Sequence, residues 1–384
     1  MENWGLVTYR EVYLLLEPKL SSSVGKQHIA LVVGHEIAHM WFGNLATMEW
    51  WTDLWLKEGY ATFMEYVFVH HFFPEWDMWT RFIVNESSRA LSLDSLKSSH
   101  PIEVPINDPS EVEEIYDGIS YSKSSSVIRM LHSYLGEEVF QHALSTYLAK
   151  FKFSNATTMD LWTILSEVSG QDVASVMNNW TKKMGYPVLK VTGFQDNNVR
   201  KLHISQQRFI ADGSPDTEGT IWQVPITIST SKNPSGIVKR VLMDGKEMDV
   251  MLEDVASNDF VKINAHYTGY YRVQYDNAML QPLIQAAREK VIGPADRFNL
   301  AGDLFALVRA GITSVTQFFD FLECLVDETD MNVWLDVDSS VSVLSNIIDR
   351  TNYKGNFNNF IKKIYANAGA YVGWDAKPNE SIVL

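Results

Sequence analysis

The sequence is short of cysteine: Cys324 is the only one in 384 residues, which excludes an internal disulfide framework and fits a reducing compartment. It is also short of positive charge. With 32 Lys and Arg against 47 Asp and Glu, the formal net charge is −15, and that balance argues against nucleic acid as a partner. An acidic surface attracts cationic peptide ends, although most such charge is ordinary solvated surface. No uninterrupted apolar stretch reaches membrane-spanning length, because Glu, His, Gly or Asn break the longest runs, and no signal-peptide pattern is present. Nor is any internal repeat strong enough to count. Glycosylation sequons occur at Asn85, Asn155, Asn179 and Asn379, a number that chance supplies, and Asn179 abuts a tryptophan expected to be buried.

What the chain has is apolar mass. At 46% hydrophobic and 12% aromatic, it can bury large cores and is expected to form two or three domains. Residues 1–186 read as mainly helical, with breaks at Phe73-Pro74, from Ser99 to Pro109 and at Ser154 to Thr157. After Met184-Gly185-Tyr186-Pro187 the period changes to two. Leu202 and Ile204 bracket His203, and Val224, Ile226 and Ile228 alternate with Pro225, Thr227 and Ser229. Turns at Asn233 to Gly236 and at Asp244-Gly245 then suggest a small β-sandwich over 187–275. Helical spacing returns over 276–384. Phe318, Phe319 and Leu322 follow a Thr313-Ser314 start, and Val341, Val343, Leu344, Ile347 and Ile348 form a second stripe. The fold class is therefore a multi-domain, α-rich chain with a helical first part, a small β-sandwich and further helices. Tryptophans crowd the first part, among them Trp4, Trp41, Trp50, Trp51, Trp55, Trp76 and Trp79. Most are expected in the core, with a few available to line a pocket.

The chemistry concentrates in His35-Glu36-Ile37-Ala38-His39 and in Glu58, eighteen residues further on. Histidines at i and i+4 project from one face of a helix, so their imidazoles can converge on one ion, and a carboxylate from elsewhere completes a three-ligand set. Such donors suit one Zn2+ and leave a fourth position open, which is the pattern of catalysis rather than scaffolding. A pair of satisfied core histidines is the bland alternative. It is disfavoured because the helix is apolar on every side and is expected to be buried all round, where three ionisable groups need partners. Glu36, one residue along, is rotated away from the metal face and is the candidate general base for hydrolysis of an amide. Glu58 lies in Trp55-Leu56-Lys57-Glu58-Gly59-Tyr60-Ala61, whose spacing predicts a second helix. A solvated surface glutamate is the alternative there. Glu65, seven residues on, shares its face and is a candidate to orient a ligand.

Several motifs in order, namely Met1-Glu2-Asn3-Trp4-Gly5, the run from His35 to Asn44, Trp55-Leu56-Lys57-Glu58-Gly59 and Ile119-Ser120-Tyr121-Ser122-Lys123, resemble the gluzincin zinc aminopeptidases. The resemblance extends through Ser99 to Val104, Asn178 to Thr181, Val224 to Thr227 and Gly269 to Arg272, and so over nearly all of the chain. It implies a thermolysin-like helical catalytic domain, a β-sandwich and the start of an α-superhelical C-terminal domain. It also implies that Glu2 binds the free α-amino group of a peptide, which restricts cleavage to the first residue, and that Tyr121 donates to the oxyanion. Without the resemblance, Glu2 is an unremarkable residue and Tyr121 an ordinary packing one. The implied function is a zinc aminopeptidase acting on peptides with a free N-terminus.

Three departures stand out. Ser124 replaces a glycine after the lysine that follows Tyr121, and is expected to alter the local backbone or a substrate contact. Lys57 stands where the family often has asparagine. The β-rich domain expected before Met1 and further helices beyond Leu384 are absent, so the sequence reads as a fragment, and a catalytically inactive peptide- or partner-binding regulatory protein is the alternative. A thermolysin-type endopeptidase, which would keep the metal but not the role of Glu2, is a third reading. The compartment implied is cytoplasmic, or membrane-anchored or secreted if a missing N-terminal segment carried an anchor or signal. Oligomeric state is not legible.

Overall fold

The computed structural model describes residues 1–17 and 20–375, so the sequon at Asn379 lies outside the described residues. The chain divides into two compact units. The first comprises residues 1–186 with 221–225 and 268–270, and the second comprises 187–220, 226–267 and 271–384.

The first unit is mostly helical. In chain order it holds α1 (Ser23–Ala38), β1 (Ala46–Met48), α2 (Trp55–Phe72), α3 (Met78–Phe82), a π-helical segment Ile83–Ser88, α4 (Arg89–Asp94), a second π-helical segment Ile119–Lys123, α5 (Ser124–Leu135), α6 (Glu137–Phe151), β2 (Ser154–Ala156), α7 (Thr158–Ser169) and α8 (Val173–Thr181). Capping chemistry sets the starts. Ser22 accepts from Gly25 N at the head of α1, and Thr157 with Asp160 forms a capping box on α7. Strands β1 and β2 pair in parallel, Ala46 opposite Ser154.

Helix α2 is the axis of this unit. Eleven of its residues are buried, on every side, including Trp55, Tyr60, Phe63, Tyr66 and the acids Glu58 and Glu65. Helix α1, expected to be buried all round, is not: only Gln27, Leu31, Gly34 and Ala38 are buried, while Val24 and Ile37 are exposed. Those four positions follow one stripe at i, i+4, i+7 and i+11, the face that packs on α2. All-round hydrophobicity fixes what can be buried, not how many neighbours arrive.

In the second unit, β3 (Pro187–Asp196), β4 (Val199–Arg208), β5 (Val224–Thr230, whose first two residues belong to the first unit), β6 (Lys239–Met243), β7 (Glu247–Leu252), β8 (Val261–Ile263) and β9 (Arg272–Tyr275) form two sheets. Their orders are β7-β4-β3-β9 and β6-β5-β8. Strand β4 alternates as expected, with Leu202 and Ile204 buried and His203 exposed. Strand β5 does not. It is central in its sheet and every residue is buried, Thr227 and Ser229 included, so its period-two pattern marks no wet face. Helices α9 (Asn277–Arg288), α10 (Pro294–Arg309), α11 (Val315–Leu322), α12 (Met331–Ile348) and α13 (Lys354–Val372) follow. On α12, Leu344 is buried but Val343 and Ile347 are exposed, so that stripe is only partly packed.

Candidate metal centre

Close helix packing builds the site. A Cβ on Gly34 would lie 3.2 Å from Phe68 Cδ1 and 3.4 Å from Glu65 Cα, so the absent side chain lets α1 and α2 approach where His35 and Glu65 face each other. His35 Nε2 and His39 Nε2 are 3.1 Å apart, and each is 3.4 Å from Glu58 Oε2. Among the described residues these three form the single group of metal-type side chains whose donor atoms converge.

The hydrogen bonds around this triangle dictate what can fill it. His39 Nδ1 faces the Phe42 carbonyl at 3.0 Å, and His35 Nδ1 faces Glu65 Oε2 at 2.9 Å. A carbonyl and a carboxylate only accept, so both Nδ1 atoms donate, and in a neutral ring each Nε2 then carries a lone pair. Two lone pairs and a carboxylate oxygen therefore point at one another. Glu58 Oε2 is buried and has no hydrogen-bond partner. Such an arrangement needs a proton or a cation at its middle. The edges suit a metal: ligands about 2.0–2.1 Å from a tetrahedral Zn2+ sit about 3.3 Å apart.

The electrostatics follow the same logic. Burial raises the Glu58 carboxyl, yet the adjacent His35 and His39 imidazoles and the charge of Lys57 outweigh it and hold it well below the usual range. Burial pushes Glu65 up to about 7 against the opposing bond to His35. Glu36 stands outside the converging triangle. Its Oε1 lies 2.9 Å from the Met1 nitrogen, and its Oε2 is buried without a partner.

Tyr121 lies on the other side of His35, its ring stacked with the imidazole at 6.1 Å between centroids and 18° between planes. Burial together with the negative charge of Glu58 raises its pKa far above the usual phenol value. It therefore remains a proton donor. The π-helical segment carrying it is pinned at its start: Asp117 Oδ1 accepts from Ile119 N at 2.9 Å and Ser120 N at 3.0 Å, while Asp117 Oδ2 takes His100 Nε2 at 2.6 Å. Glu2 also reaches this region. Its Oε1 is 2.6 Å from Lys57 Nζ and its backbone carbonyl accepts from Asn44 Nδ2 at 2.6 Å.

Comparison with known proteins decides the family. Residues 1–180 match the peptidase family M1 domain, and residues 260–383 match the ERAP1-like C-terminal domain. The puromycin-sensitive aminopeptidase of Caenorhabditis elegans is 49% identical, over 90% of this chain and 36% of its own length. Aminopeptidase M1-D of Oryza sativa subsp. japonica is 44% identical, over 99% of this chain and 44% of its own length, and the alanine/arginine aminopeptidase of Saccharomyces cerevisiae is 38% identical over the whole chain. The chain belongs to the M1 peptidase family. It spans less than half the length of these relatives.

Within this M1 peptidase chain, several residues near the site carried no signal of their own in the sequence. Lys57, noticed there only as a departure, pairs with Glu2 and also lies 3.2 Å from Glu58 Oε1. His100 stood out only as part of a longer motif, and Asp117 was given no role. Ser124, expected to alter the local backbone or a substrate contact, leaves the backbone ordinary: its φ of −61° and ψ of −47° are helical, where glycine's freedom is not needed. Its Oγ donates to Tyr121 O at 3.1 Å, and its Cβ would stand 2.8 Å from a Cβ placed on Gly59. Serine fits because residue 59 is the glycine.

Proposed function

We propose that the chain is the metal-binding part of a zinc aminopeptidase, with one Zn2+ held by His35, His39 and Glu58. The convergence of two Nε2 lone pairs and an unpartnered carboxylate oxygen carries this reading. When bound, Zn2+ supplies Lewis acidity, making a water easier to deprotonate and a carbonyl more electrophilic. Glu36 is the general base, taking the water's proton and returning it to the leaving amine. Tyr121, kept protonated by burial and by Glu58, donates to the developing oxyanion. Glu2 accepts the α-ammonium of the peptide, a contact an internal peptide bond cannot offer. The substrates are accordingly peptides with a free N-terminus.

On this reading residues 1–186 are a thermolysin-like catalytic domain, 187–275 a β-sandwich and 276–384 the start of an α-superhelical domain. The cytoplasm is the compartment we favour, on the single cysteine and on the family resemblance; no helix among the described residues is long and apolar enough to cross a membrane. A peptide-binding protein without turnover is the second reading.

Zinc content and hydrolysis of an amino-acid arylamide, compared between the chain and Glu36→Gln, test the proposal. Glu36→Gln is expected to keep its zinc and lose about 10²–10⁴-fold in turnover. Zinc without turnover in the unmodified chain would favour the second reading, and equal turnover in both proteins would remove Glu36 as the base. Amino-terminal acetylation of the substrate should abolish cleavage, whereas an endopeptidase would ignore it.

A further inference from the structure

Lys57 is placed to do more than fill a position on α2. Its Nζ lies 2.6 Å from Glu2 Oε1, 3.2 Å from Glu58 Oε1 and 5.8 Å from the centroid of the Tyr116 ring. The side chain is largely shielded, 13% exposed, as is that of Glu2 at 18%. Such an ammonium therefore meets two carboxylates and an aromatic face, the environment that an incoming amine would seek. Glu58 Oε1, held by Lys57, is the oxygen that does not face the histidines.

We propose that Lys57 is an internal competitor for the amino-terminal subsite, a specificity-determining residue that sets how tightly the chain holds a substrate's α-ammonium. The inference rests on the reading of Glu2 as the amine acceptor. With one oxygen of Glu2 bound to Lys57, an arriving ammonium finds a carboxylate already half neutralised and a like charge beside it. Both effects weaken the grip on amines while leaving uncharged parts of a substrate untouched. Removing the charge, with the aliphatic stem kept, should tighten it.

The test uses Lys57→Met, which keeps the stem, and Lys57→Gln, which keeps a donor for Glu2 without the charge; Lys57→Arg keeps the charge. Calorimetric titration with n-butylamine, an ammonium with no carbonyl, reads the subsite directly, and zinc content is measured in every protein. Lys57→Met and Lys57→Gln are each expected to bind butylamine about ten-fold more tightly, with KM for a free-amine arylamide falling in parallel, zinc content unchanged and Lys57→Arg resembling the parent. Equal or weaker amine binding by Lys57→Gln, with zinc retained, would overturn the inference and leave Lys57 as a tether that orients Glu2. The underlying reading fails by a separate sign: if Glu2→Gln binds butylamine as well as the parent does, Glu2 is not the amine acceptor, and the competition proposed for Lys57 falls with it.

Discussion

At the scale of single residues, the site is a set of lone pairs arranged by their neighbours. Glu65 illustrates this, because its bond to His35 Nδ1 leaves Nε2 to face His39 Nε2 and Glu58 Oε2. Replacing Glu65 by alanine should weaken zinc binding about 10–100-fold, measured by competition with a chromogenic chelator; unchanged affinity would reduce Glu65 to a core acid. The motif His35-Glu36-Ile37-Ala38-His39 was legible because i, i+4 spacing on one helix is local geometry. The bond between His35 and Glu65 was legible only as a candidate, since it depends on how α1 meets α2, and the ties of Lys57 to Glu2 and Glu58 were not legible at all. The first joins residues distant in sequence and the second chain neighbours, and no periodicity encodes either.

At the scale of elements, two close approaches and one cap hold the side chains in register. Gly59→Ala would put a Cβ 2.8 Å from Ser124 Cβ, forcing α2 and α5 apart; a loss of about 1–3 kcal/mol in thermal unfolding is expected. The segment bearing Tyr121 depends on Asp117, whose carboxylate receives two backbone amides and His100. Asp117→Ala should cost about 1 kcal/mol of stability and lower kcat more than it changes KM, since the proposed contact of the displaced Tyr121 is made in the transition state and not with bound substrate. The bond to Asp117 raises the pKa of His100 above its ordinary 6.5, against burial. The protonated form is then favoured in the fold, so this contribution is complete below pH 6.5 and is lost as pH rises through the folded value. A His100→Asn variant should lack that alkaline decline in melting temperature. The helix-to-strand switch after Tyr186 was readable from the change of period, and the Thr313-Ser314 start coincides with the cap of α11. Which faces pack was not: β5 alternates in sequence yet is buried throughout, because its position at the centre of a sheet, not its pattern, decides exposure.

At the scale of the whole molecule, stability is tied to buried charge as well as to apolar cores. Lys123 and Asp94 are fully buried and 2.8 Å apart, and Asp94 also accepts from Gly185 N, Ser99 Oγ and Tyr270 OH. Lys123→Met strands that carboxylate and should cost about 3–5 kcal/mol in denaturant unfolding. The proposed metal would add to the same balance, since an ion that binds only the folded state raises its stability by mass action. Chelation should therefore lower the melting temperature of the chain, and do so far less in His39→Ala.

X-ray absorption at the zinc edge of the purified, folded chain goes most directly to the three-donor grip. One zinc per chain is expected, with two imidazole nitrogens at about 2.0–2.1 Å, a carboxylate oxygen at about 2.0–2.2 Å and a further light-atom ligand in the fourth position. Zinc absent from the folded protein, or held without imidazole, would contradict it.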